Sequence, residues 1–474
     1  MSDSDLSYAS ALGLVELMRT GKLSPTELMT HTIARIEKLD GGINAVIRLD
    51  AEGALAAAAN AAARIAHGED LGPLTGLPIL VKDAEAVRGF PVSQGSSAFR
   101  DNPPSEHDSY HVARLRAAGA IPFGITNMPP MGAGVHTTND AFGITRNPFD
   151  LTASPGGSSG GAGAAIAAGY VALATAGDSG GSTRIPAALC GMVGLKANRG
   201  RIPRGPSATI AWPRVNAVGA ITRTVRDTAL HLDVAAGHHC RDTDSLPAPG
   251  LSYQEAVERT LPRLRIAVLR TFGVTSPEPE ILAALDRAAE VLRAAGHEVV
   301  EDDVALPHAD DFVETILLRM KLLSYNRATS QMEAVAGRLG DFEPWFADEL
   351  TRAQQLTVQD MARYWRGRAS QDHWVADRFE QYDVLLTPTV PMHRWPAEGP
   401  DIAAAVRDRT IPIAFTALFN DTGNPAISVP AGLAADGLPL AVHVVGRHHR
   451  EDLILAVAAR LEEASSALRP PLPA

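Results

Sequence analysis

The sequence predicts an α/β protein folded as a single large domain, and three observations favour this class. Short apolar runs alternate with longer helical patterns at residues 74–125 and again at 262–330. The first apolar run, at 74–81, is bulky at most of its positions, which is typical of a strand buried on both faces. No linker in the 474 residues is rich or long enough to separate two domains.

The N-terminal part, residues 5–66, is predicted to form two or three helices. Ser24 is the expected N-cap of one of them, with Pro25 at the first helical position and Glu27 in the first turn. Residues 51–66 are nearly all alanine, which favours a further helix.

The following elements are predicted from their apolar runs and turn residues. After the strand at 74–81 come the end of a helix at 114–119, a strand at 120–125, and at 151–205 two glycine-rich loops flanking a helix of small residues. Further along we expect strands at 264–269, 298–304, 383–388 and 426–429. Helices are expected at 279–295, between the strand at 298–304 and residue 330, and at 451–468. We divide the domain, 1–474, into N-terminal helices (5–66), a core (74–230), a helical region that shapes the substrate pocket (240–380), and C-terminal strands with a helix (383–468).

Composition and charge exclude several classes of protein. The net charge of −11 argues against a nucleic-acid surface built on bulk positive charge. The start of the chain is acidic where a secretory signal is basic, and the uncharged stretch 151–177 holds Pro155 and seven glycines, which makes it a poor membrane span. Two cysteines, Cys190 and Cys240, cannot build a disulfide framework. We expect a cytoplasmic protein without a membrane or nucleic-acid partner.

Lysine is rare in this chain, and one lysine stands at a chemically suggestive place. Five of the 43 basic residues are lysines, and Lys82 directly follows the apolar run 78–81. A desolvated lysine can lose its proton and act as a base, whereas arginine stays protonated. The competing interpretation is a lysine at the end of a strand that reaches water with its ammonium group.

Two loops rich in glycine and serine lie at 154–161 and 180–184. Glycines allow close backbone approach, so a serine beside them can sit next to converging backbone N–H groups, the arrangement of an oxyanion hole. Neither loop has the Gly-Lys-Ser/Thr ending of a phosphate-binding P-loop, and 161–163 lacks the third glycine of a dinucleotide fingerprint. A single Gly-Gly-Ser is typical of a flexible loop, but two of them after Lys82 favour a hydrolytic site.

These loops resemble the signature of the amidase signature family. The similar segments are 156–161, 177–186, 194–196 and 200–201, with further matches at 80–83, 126–128, 143–148, 224–227, 386–389 and 423–426. The resemblance implies the fold of that family, a mixed twisted sheet covered by helices on both faces. It also implies hydrolysis of amide C–N bonds through an acyl-enzyme, with no metal and no cofactor.

Carried over residue by residue, the resemblance implies a Ser–cis-Ser–Lys triad. Ser182 falls on the nucleophile, Ser158 on the bridging serine and Lys82 on the base. Ser158 is chosen over Ser159 because it keeps the 24-residue spacing to the nucleophile. The peptide bond between Gly157 and Ser158 is expected to be cis.

The resemblance assigns further roles around the triad. The oxyanion hole is expected from the N–H groups of Ser179, Gly180 and Gly181, with Ser182 as an open fourth donor. Supporting residues are expected to be Ser159, Asp178 and Arg184, and the substrate pocket to include Met128, Met131, Gly132 and Phe415, with Trp212 and Phe419 as further apolar candidates. The chain departs from the family before the second loop, where Ala176-Gly177-Asp178 replaces the common Gly-Thr-Asp or Gly-Ser-Asp, so the threonine or serine hydroxyl is missing.

The substrate class and one competing function stay open. The sequence is most similar in character to bacterial members with broad specificity, which include nylon-oligomer hydrolases, aryl acylamidases and urethanases. A carbamate is attacked by the same serine, so the triad does not separate linear or cyclic amides from urethanes or from an esterase side activity. The competing function is that of the A subunit of a tRNA-dependent amidotransferase, which typically has glutamine where Ile185 stands.

Four other interpretations fit the sequence less well. The aromatic region 340–375, with Trp345, Trp365 and Trp374, is interpreted as a pocket wall rather than part of a tRNA-complex scaffold. A metal site at His107 and His111, or at the run 238–240, lacks a convincing further ligand nearby. A Ser-His-Asp hydrolase is not favoured, because no Gly-x-Ser-x-Gly surrounds Ser182. A non-catalytic protein that kept the fold would not need all three triad residues.

The expected partners are a small amide or carbamate and water, with a homodimer as the assembly considered.

Overall fold

The computed structural model describes residues 3–70, 72–206, 214–307, 309–330, 335, 337–401, 404–405, 408, 410–465 and 467–472. Its helices are α1 (Asp3–Ser7), α2 (Ala11–Arg19), α3 (Pro25–Ile43), α4 (Ala51–Ala66), α5 (Tyr110–Ala117), α6 (Gly160–Ala167), α7 (Arg184–Leu189), α8 (Val225–Ala235), α9 (Tyr253–Glu258), α10 (Pro279–Ala294), α11 (Ala309–Ser330), α12 (Pro344–Ala353), α13 (Val358–Gln381), α14 (Ala417–Thr422) and α15 (Glu451–Glu463). Its strands are β1 (Val46–Leu49), β2 (Pro78–Lys82), β3 (Ile121–Thr126), β4 (Leu173–Asp178), β5 (Val193–Lys196), β6 (Ala217–Thr222), β7 (Arg265–Val268), β8 (Glu298–Glu301), β9 (Val384–Pro388), β10 (Ala426–Leu433) and β11 (Pro439–Gly446).

The strands form one sheet in the order β1-β3-β2-β4-β6-β5-β10-β11-β9-β7-β8. The pairs of β2 with β3 and β4, and of β7 with β8 and β9, are parallel, and the other neighbours are antiparallel. Strands from the first and last parts of the chain therefore share one sheet. The predicted α/β class with a mixed sheet is confirmed.

Helices pack on both faces of this sheet, because neighbouring residues of a strand point to opposite sides. In β9, Leu385 packs in a cluster with residues of α7, α13 and α14, whereas Val384 and Leu386 pack in a different cluster with residues of α8, α9 and α15. In β2, Ile79 and Leu80 divide in the same way between two further clusters. This arrangement confirms the predicted covering of the sheet.

The N-terminal region contains more than the predicted two or three helices. It holds α1 to α4, and β1 lies between α3 and α4 and pairs with β3 at the edge of the sheet. A four-residue strand that is only half-buried gives no usable alternation, so the prediction is wrong here for lack of signal. The N-cap is as predicted: Glu27 N–H donates to Ser24 Oγ at 3.1 Å, and Ser24 N–H donates to Glu27 Oε2 at 2.8 Å.

Several core strands also escape sequence analysis. It does not predict β4, β5 or β6, which are short and in which each run of bulky apolar residues is interrupted by alanine, glycine or threonine. It does not predict β11 either, although β11 is buried along its whole length. The predicted strand at 298–304 ends at Glu301, and the predicted helix at 451–468 ends at Glu463.

The uncharged stretch 151–177 forms a loop, α6 and most of β4 inside the core. No helix in the part of the chain that the structure describes is long and apolar enough to cross a membrane. Both cysteines are free thiols, with Cys190 buried and Cys240 exposed.

Candidate active site

Two loops meet at one edge of the sheet, where β2 and β4 end. These strands are parallel neighbours through Leu80 and Ala174, so their last residues, Lys82 and Asp178, lie at the same edge. The first glycine loop, residues 154–159, leads into α6, and the second glycine loop, residues 179–183, leads into α7. The sheet thus brings Lys82 close to two loops that follow it by about 80 and about 100 residues in the sequence.

Lys82 is the centre of the first loop's contacts. Its side chain is 3 % exposed, and its Nζ lies 2.8 Å from Ser158 Oγ and 2.8 Å from Ser159 Oγ. Burial lowers the pKa of Lys82 to about 7, although Asp178 and Glu85 act in the opposite direction. Near neutral pH a large fraction of this lysine is therefore uncharged and able to accept a proton.

The backbone around Ser158 has the geometry that the resemblance implies. The Gly157–Ser158 peptide bond is cis. A Cβ at Gly157 would lie 2.6 Å from the carbonyl oxygen of His136, so only glycine fits. The Ser159 N–H donates to the Ser182 carbonyl at 3.1 Å, which fastens the two loops together.

Ser182 is half-buried and carries a hydroxyl that is not engaged. Among the described residues, neither its Oγ nor its N–H has a hydrogen-bond partner, and the Gly180 N–H likewise donates to none. The structure therefore places Lys82 and Ser158 in direct contact, and Ser182 on the loop fastened beside them.

Asp178 organises the second glycine loop. Its carboxylate accepts from Gly181 N–H at 2.7 Å and Thr183 N–H at 3.2 Å, and from Arg184 Nε and Nη2 at 2.9 Å each. Burial alone would raise the pKa of Asp178, but Arg184 and Asn420 hold the pKa well below its usual range. The carboxylate is thus a charged anchor at neutral pH.

The N–H of one expected oxyanion donor, Gly181, is already engaged within the loop. The Gly181 N–H is occupied by Asp178, which argues against its use for a substrate oxygen and leaves the Ser179, Gly180 and Ser182 N–H groups, which have no acceptor among the described residues, as the available donors. Gly181 has φ +133°, and a Cβ there would lie 2.4 Å from Thr416 Oγ1. Its role in the structure is to let the loop pass close to Thr416.

Residues far along the chain complete the support, and sequence reasoning misses them. Asn420 Nδ2 donates to the Asp178 carbonyl at 3.0 Å and to its Oδ1 at 2.9 Å, and Asn420 Oδ1 accepts from Arg184 Nη2 at 2.7 Å. Thr416 Oγ1 donates to the Gly180 carbonyl at 2.6 Å. The nearest signal in the sequence is the matched segment 423–426, which begins shortly after Asn420.

His443 on β11 is a neutral acceptor behind Arg184. Its Nε2 lies 3.2 Å from Arg184 Nη1, which can only donate, so the ring proton is on Nδ1 and faces Thr387 Oγ1 at 3.2 Å. Burial, followed by the charge of Arg184, lowers the pKa of His443 well below its usual value. This histidine orients the guanidinium.

A second lysine of the signature, Lys196, is also buried. Burial and the charge of Arg184 lower the pKa of Lys196 to about 7, against the influence of Asp178. Its Nζ donates to the Ala197 carbonyl at 3.2 Å rather than to a serine. Lys82 is therefore the buried lysine that contacts the serines.

The expected pocket residues divide into two groups. A Cβ at Gly132 would lie 3.4 Å from Ser158 Oγ and 3.6 Å from Met128 Cε, so Gly132 and Met128 border the site. Met131 lies between them in sequence and packs with Phe99 and its apolar neighbours.

Phe415 is not where the expectation placed it. It is fully buried in the core, and its ring centroid lies 5.1 Å from that of Phe272. Phe419 packs on Phe272 as well, at 6.3 Å. An aromatic side chain fits either a core or a pocket. Phe415 lies in the core because the packing at the start of α14 turns its ring towards the end of β7 and α13. Trp212 lies outside the described residues.

The aromatic region 340–375 is not a uniform pocket wall. Trp345 and Trp365 are exposed, whereas Trp374 is buried in the core and donates from Nε1 to the Ala305 carbonyl at 3.2 Å. The helices α12 and α13 of this region are amphipathic, and their tryptophans therefore face different environments.

Several of the histidines considered as metal ligands make other contacts. His111 Nδ1 lies 3.0 Å from Glu85 Oε2, and its Nε2 lies 2.8 Å from His231 Nε2 in a buried chain. His239 stacks on Tyr110, with ring centroids 3.6 Å apart. Within the described ranges, no three histidine, cysteine or acidic side chains are grouped so as to hold a metal ion.

Comparison with known proteins agrees with this fold. A family model described as Amidase matches residues 27–455. The chain is 36 % identical to a 6-aminohexanoate-cyclic-dimer hydrolase of Paenarthrobacter ureafaciens, over 98 % of this chain and 96 % of the relative. It superposes on the crystal structure of a bacterial aryl acylamidase with a TM-score of 0.89 and 30 % identity, covering 97 % of this chain and 96 % of the other. It is also 35 % identical to the A subunit of glutamyl-tRNA(Gln) amidotransferase from Salinispora tropica, over 98 % of this chain and 99 % of the relative.

The chain belongs to the amidase signature family. Within that family it is a hydrolase of amides.

Proposed function

We propose that Ser182, Ser158 and Lys82 cleave the C–N bond of small amides through an acyl-enzyme. The observation that carries this proposal is the contact of Lys82 Nζ with Ser158 Oγ at 2.8 Å, combined with burial that brings the pKa of the lysine to about 7. A buried base next to a serine, beside a second serine with an unengaged hydroxyl, is the arrangement needed to activate a nucleophile.

The first step is acylation. Neutral Lys82 takes the proton of Ser158 Oγ, and Ser158 takes the proton of Ser182 Oγ as that oxygen bonds to the substrate carbonyl carbon. The developing oxyanion accepts from N–H groups among Ser179, Gly180 and Ser182, which have no acceptor among the described residues.

The second step releases the amine and restores the enzyme. The C–N bond breaks, and the leaving amine receives the proton that the relay holds. Water then gives a proton to the same relay while its oxygen attacks the acyl carbon, so that the acid leaves and Ser182 regains its hydroxyl. Asp178, with Arg184 and Ser159, acts throughout by holding the loops rather than by touching substrate.

The substrate range that we propose covers linear and cyclic oligoamides and aryl amides, with carbamates and esters as further substrates of the same serine. The first two classes follow from the relatives, which are named for a cyclic dimer of 6-aminohexanoate and as an aryl acylamidase. Met128 and Gly132 border the acyl site with Met131 between them in sequence, and flexible methionines suit varied apolar groups. Water is the second reactant and no nucleic acid takes part, and we place the reaction in the cytoplasm, with a homodimer as the assembly to test by light scattering.

A second candidate function is ammonia production within an amidotransferase complex, which the similarity to amidotransferase A subunits favours. The identity of residue 185, an isoleucine, argues against this second function. This side chain is buried and packs on Gly156 and Gly181, where those A subunits typically carry glutamine. A chain with that function would depend on its partner chains and on glutamine.

The test uses the purified chain alone with 4-nitroacetanilide, a nylon-type cyclic diamide, an aryl ester and an aryl carbamate. We expect nitroaniline release without a partner chain, and a covalent adduct on the Ser182 peptide after rapid acid quench. Ser182→Ala should abolish turnover, and Ser158→Ala and Lys82→Ala should each lower kcat by several orders of magnitude. Turnover of glutamine alone, and only with added partner subunits, would support the second function.

Matched variants guard against a general loss of activity. Ser97 and Lys22 are exposed, so Ser97→Ala and Lys22→Met should behave like the unaltered chain. An adduct on another residue, or full activity of Ser182→Ala, would remove the proposed nucleophile.

A further inference from the structure

A buried ion pair outside the signature segments lies against the second glycine loop. Arg319 on α11 donates from Nε to Asp421 Oδ1 on α14 at 3.0 Å, and each side chain is 1 % exposed. Tyr364 OH donates to the same oxygen at 3.0 Å. The pair is thus held in one position by two helices and a tyrosine.

The free edge of the Arg319 guanidinium faces Gly180. A Cβ built on Gly180 would lie 3.1 Å from Arg319 Nη1 and 3.7 Å from Nη2. Gly180 is two residues before Ser182, and its carbonyl is fixed by Thr416 Oγ1. Since the Gly180 N–H is one of the available oxyanion donors, the guanidinium borders the space where the scissile amide would bind.

Part of this guanidinium has no partner. Arg319 Nη2 is buried and, within the described residues, has no hydrogen-bond partner. A buried donor without an acceptor carries a desolvation cost and is rare in folded proteins. Because Asp421 already neutralises the guanidinium, an uncharged oxygen can satisfy this donor without leaving a net charge buried.

We propose that Arg319 is a substrate-binding residue that donates to a second oxygen of the substrate, close to the scissile carbonyl. The favoured source of that oxygen is a neutral carbonyl, as in a diamide or oligoamide, and a carboxylate offers the same acceptor chemistry. This inference rests on the proposed function, because it places the oxygen beside the Ser182 loop. Asp421 is the positioning residue that aims the guanidinium.

The experiment compares three 4-nitroanilides whose acyl groups have similar length. The pentanoyl group has no second oxygen, the 4-oxopentanoyl group has a ketone, and the succinyl group has a carboxylate at the corresponding position. We expect kcat/KM for the 4-oxopentanoyl substrate to exceed that of the pentanoyl substrate by about 10- to 100-fold. Higher activity with the succinyl than with the 4-oxopentanoyl substrate identifies a carboxylate as the source, and the reverse order identifies a neutral carbonyl.

Variants tie the preference to Arg319. In Arg319→Met the ratio should fall to within about threefold of unity. That substitution strands the Asp421 carboxylate, so the double variant with Asp421→Asn removes both charges and keeps an amide oxygen for Tyr364. Arg226, an exposed arginine of α8, supplies the matched control Arg226→Met, in which the ratio should persist.

The outcomes separate this inference from the function on which it rests. If the unaltered chain hydrolyses all three anilides at similar kcat/KM, or if the preference survives in a folded Arg319 variant, the subsite is refuted and the proposed function stands. If no anilide is hydrolysed, or if hydrolysis survives Ser182→Ala, the proposed function and the subsite both fall.

Discussion

Raising the pH from 6 to 8 is expected to raise kcat/KM about tenfold, because the pKa of about 7 of Lys82 puts its titration in the middle of that range. The proposed mechanism requires the uncharged amine. A lysine with a pKa of about 7 is neutral in about a tenth of molecules at pH 6 and about nine tenths at pH 8. The same lysine with its ordinary pKa of about 10.4 would be neutral in only about 0.4 % of molecules at pH 8.

The assay follows nitroaniline release at a substrate concentration far below KM, so that the rate reports kcat/KM and hence the free enzyme. The nitroanilide substrate does not titrate in this range. Circular dichroism at each pH checks that the fold is intact. The expected curve rises through pH 7 and is level above pH 8.

Lys196 has the same lowered pKa of about 7 and provides the necessary control. Its Nζ bonds only to a backbone carbonyl among the described residues, so Lys196→Met should keep the rising limb at pH 7. Three results would each refute Lys82 as the base. They are a kcat/KM that is flat between pH 5.5 and 8.5, a kcat/KM that rises only above pH 9, and a rise near pH 7 that disappears in Lys196→Met.

The same contacts support three further predictions. Lys82→Met should abolish activity yet raise the unfolding temperature, because the pKa of Lys82 is lower in the folded chain than in the unfolded one. Burying this lysine therefore lowers the free energy of unfolding by on the order of a few kcal/mol; this loss is complete below pH 7 and fades towards pH 10.4. The rise in unfolding temperature, measured by calorimetry, should be larger at pH 6.5 than at pH 9.5. Asn420→Ala removes three hydrogen bonds around Asp178 and Arg184 and should lower kcat roughly 100-fold with a smaller change in KM; full activity in a folded variant would show that Asn420 is not needed to hold the loop. Treatment with EDTA should leave nitroanilide turnover unchanged, and a loss that zinc restores would contradict the proposed chemistry.

The candidate catalytic segments stand out in the sequence because their residue types are unusual. Lys82 follows an apolar run in a chain that uses arginine almost everywhere else, and the glycine loops are compact patterns around Ser158 and Ser182. Such local signals survive without any knowledge of the fold. They indicate which residues take part and say little about how the residues are held.

The supporting contacts could not be predicted because they depend on strand order. β5 pairs with β10, and β10 with β11, which brings Asn420 and His443 against Asp178 and Arg184. No periodicity in the sequence encodes that order. The N–H of Gly181 illustrates the same limit, since its use by Asp178 depends on the path of the loop.

Residue type alone also misplaced two side chains. Phe415 suits a substrate pocket or a core equally well, and the packing around α14 decides for the core. Trp374 likewise lies among core residues, while Trp345 and Trp365 of the same region are exposed. Burial of an aromatic side chain becomes readable only when the faces of its helix are known.

The late position of Asn420 has a consequence for biosynthesis. It lies 242 positions after Asp178, so a ribosome that adds 5 to 20 residues per second needs roughly 10 to 50 seconds between the two. During that interval the nascent chain carries the loop of Ser182 without the amide that braces Asp178 and Arg184 beside it. A chain released before residue 420 lacks this brace as well as β10 and β11, and we expect it to lose most of its activity.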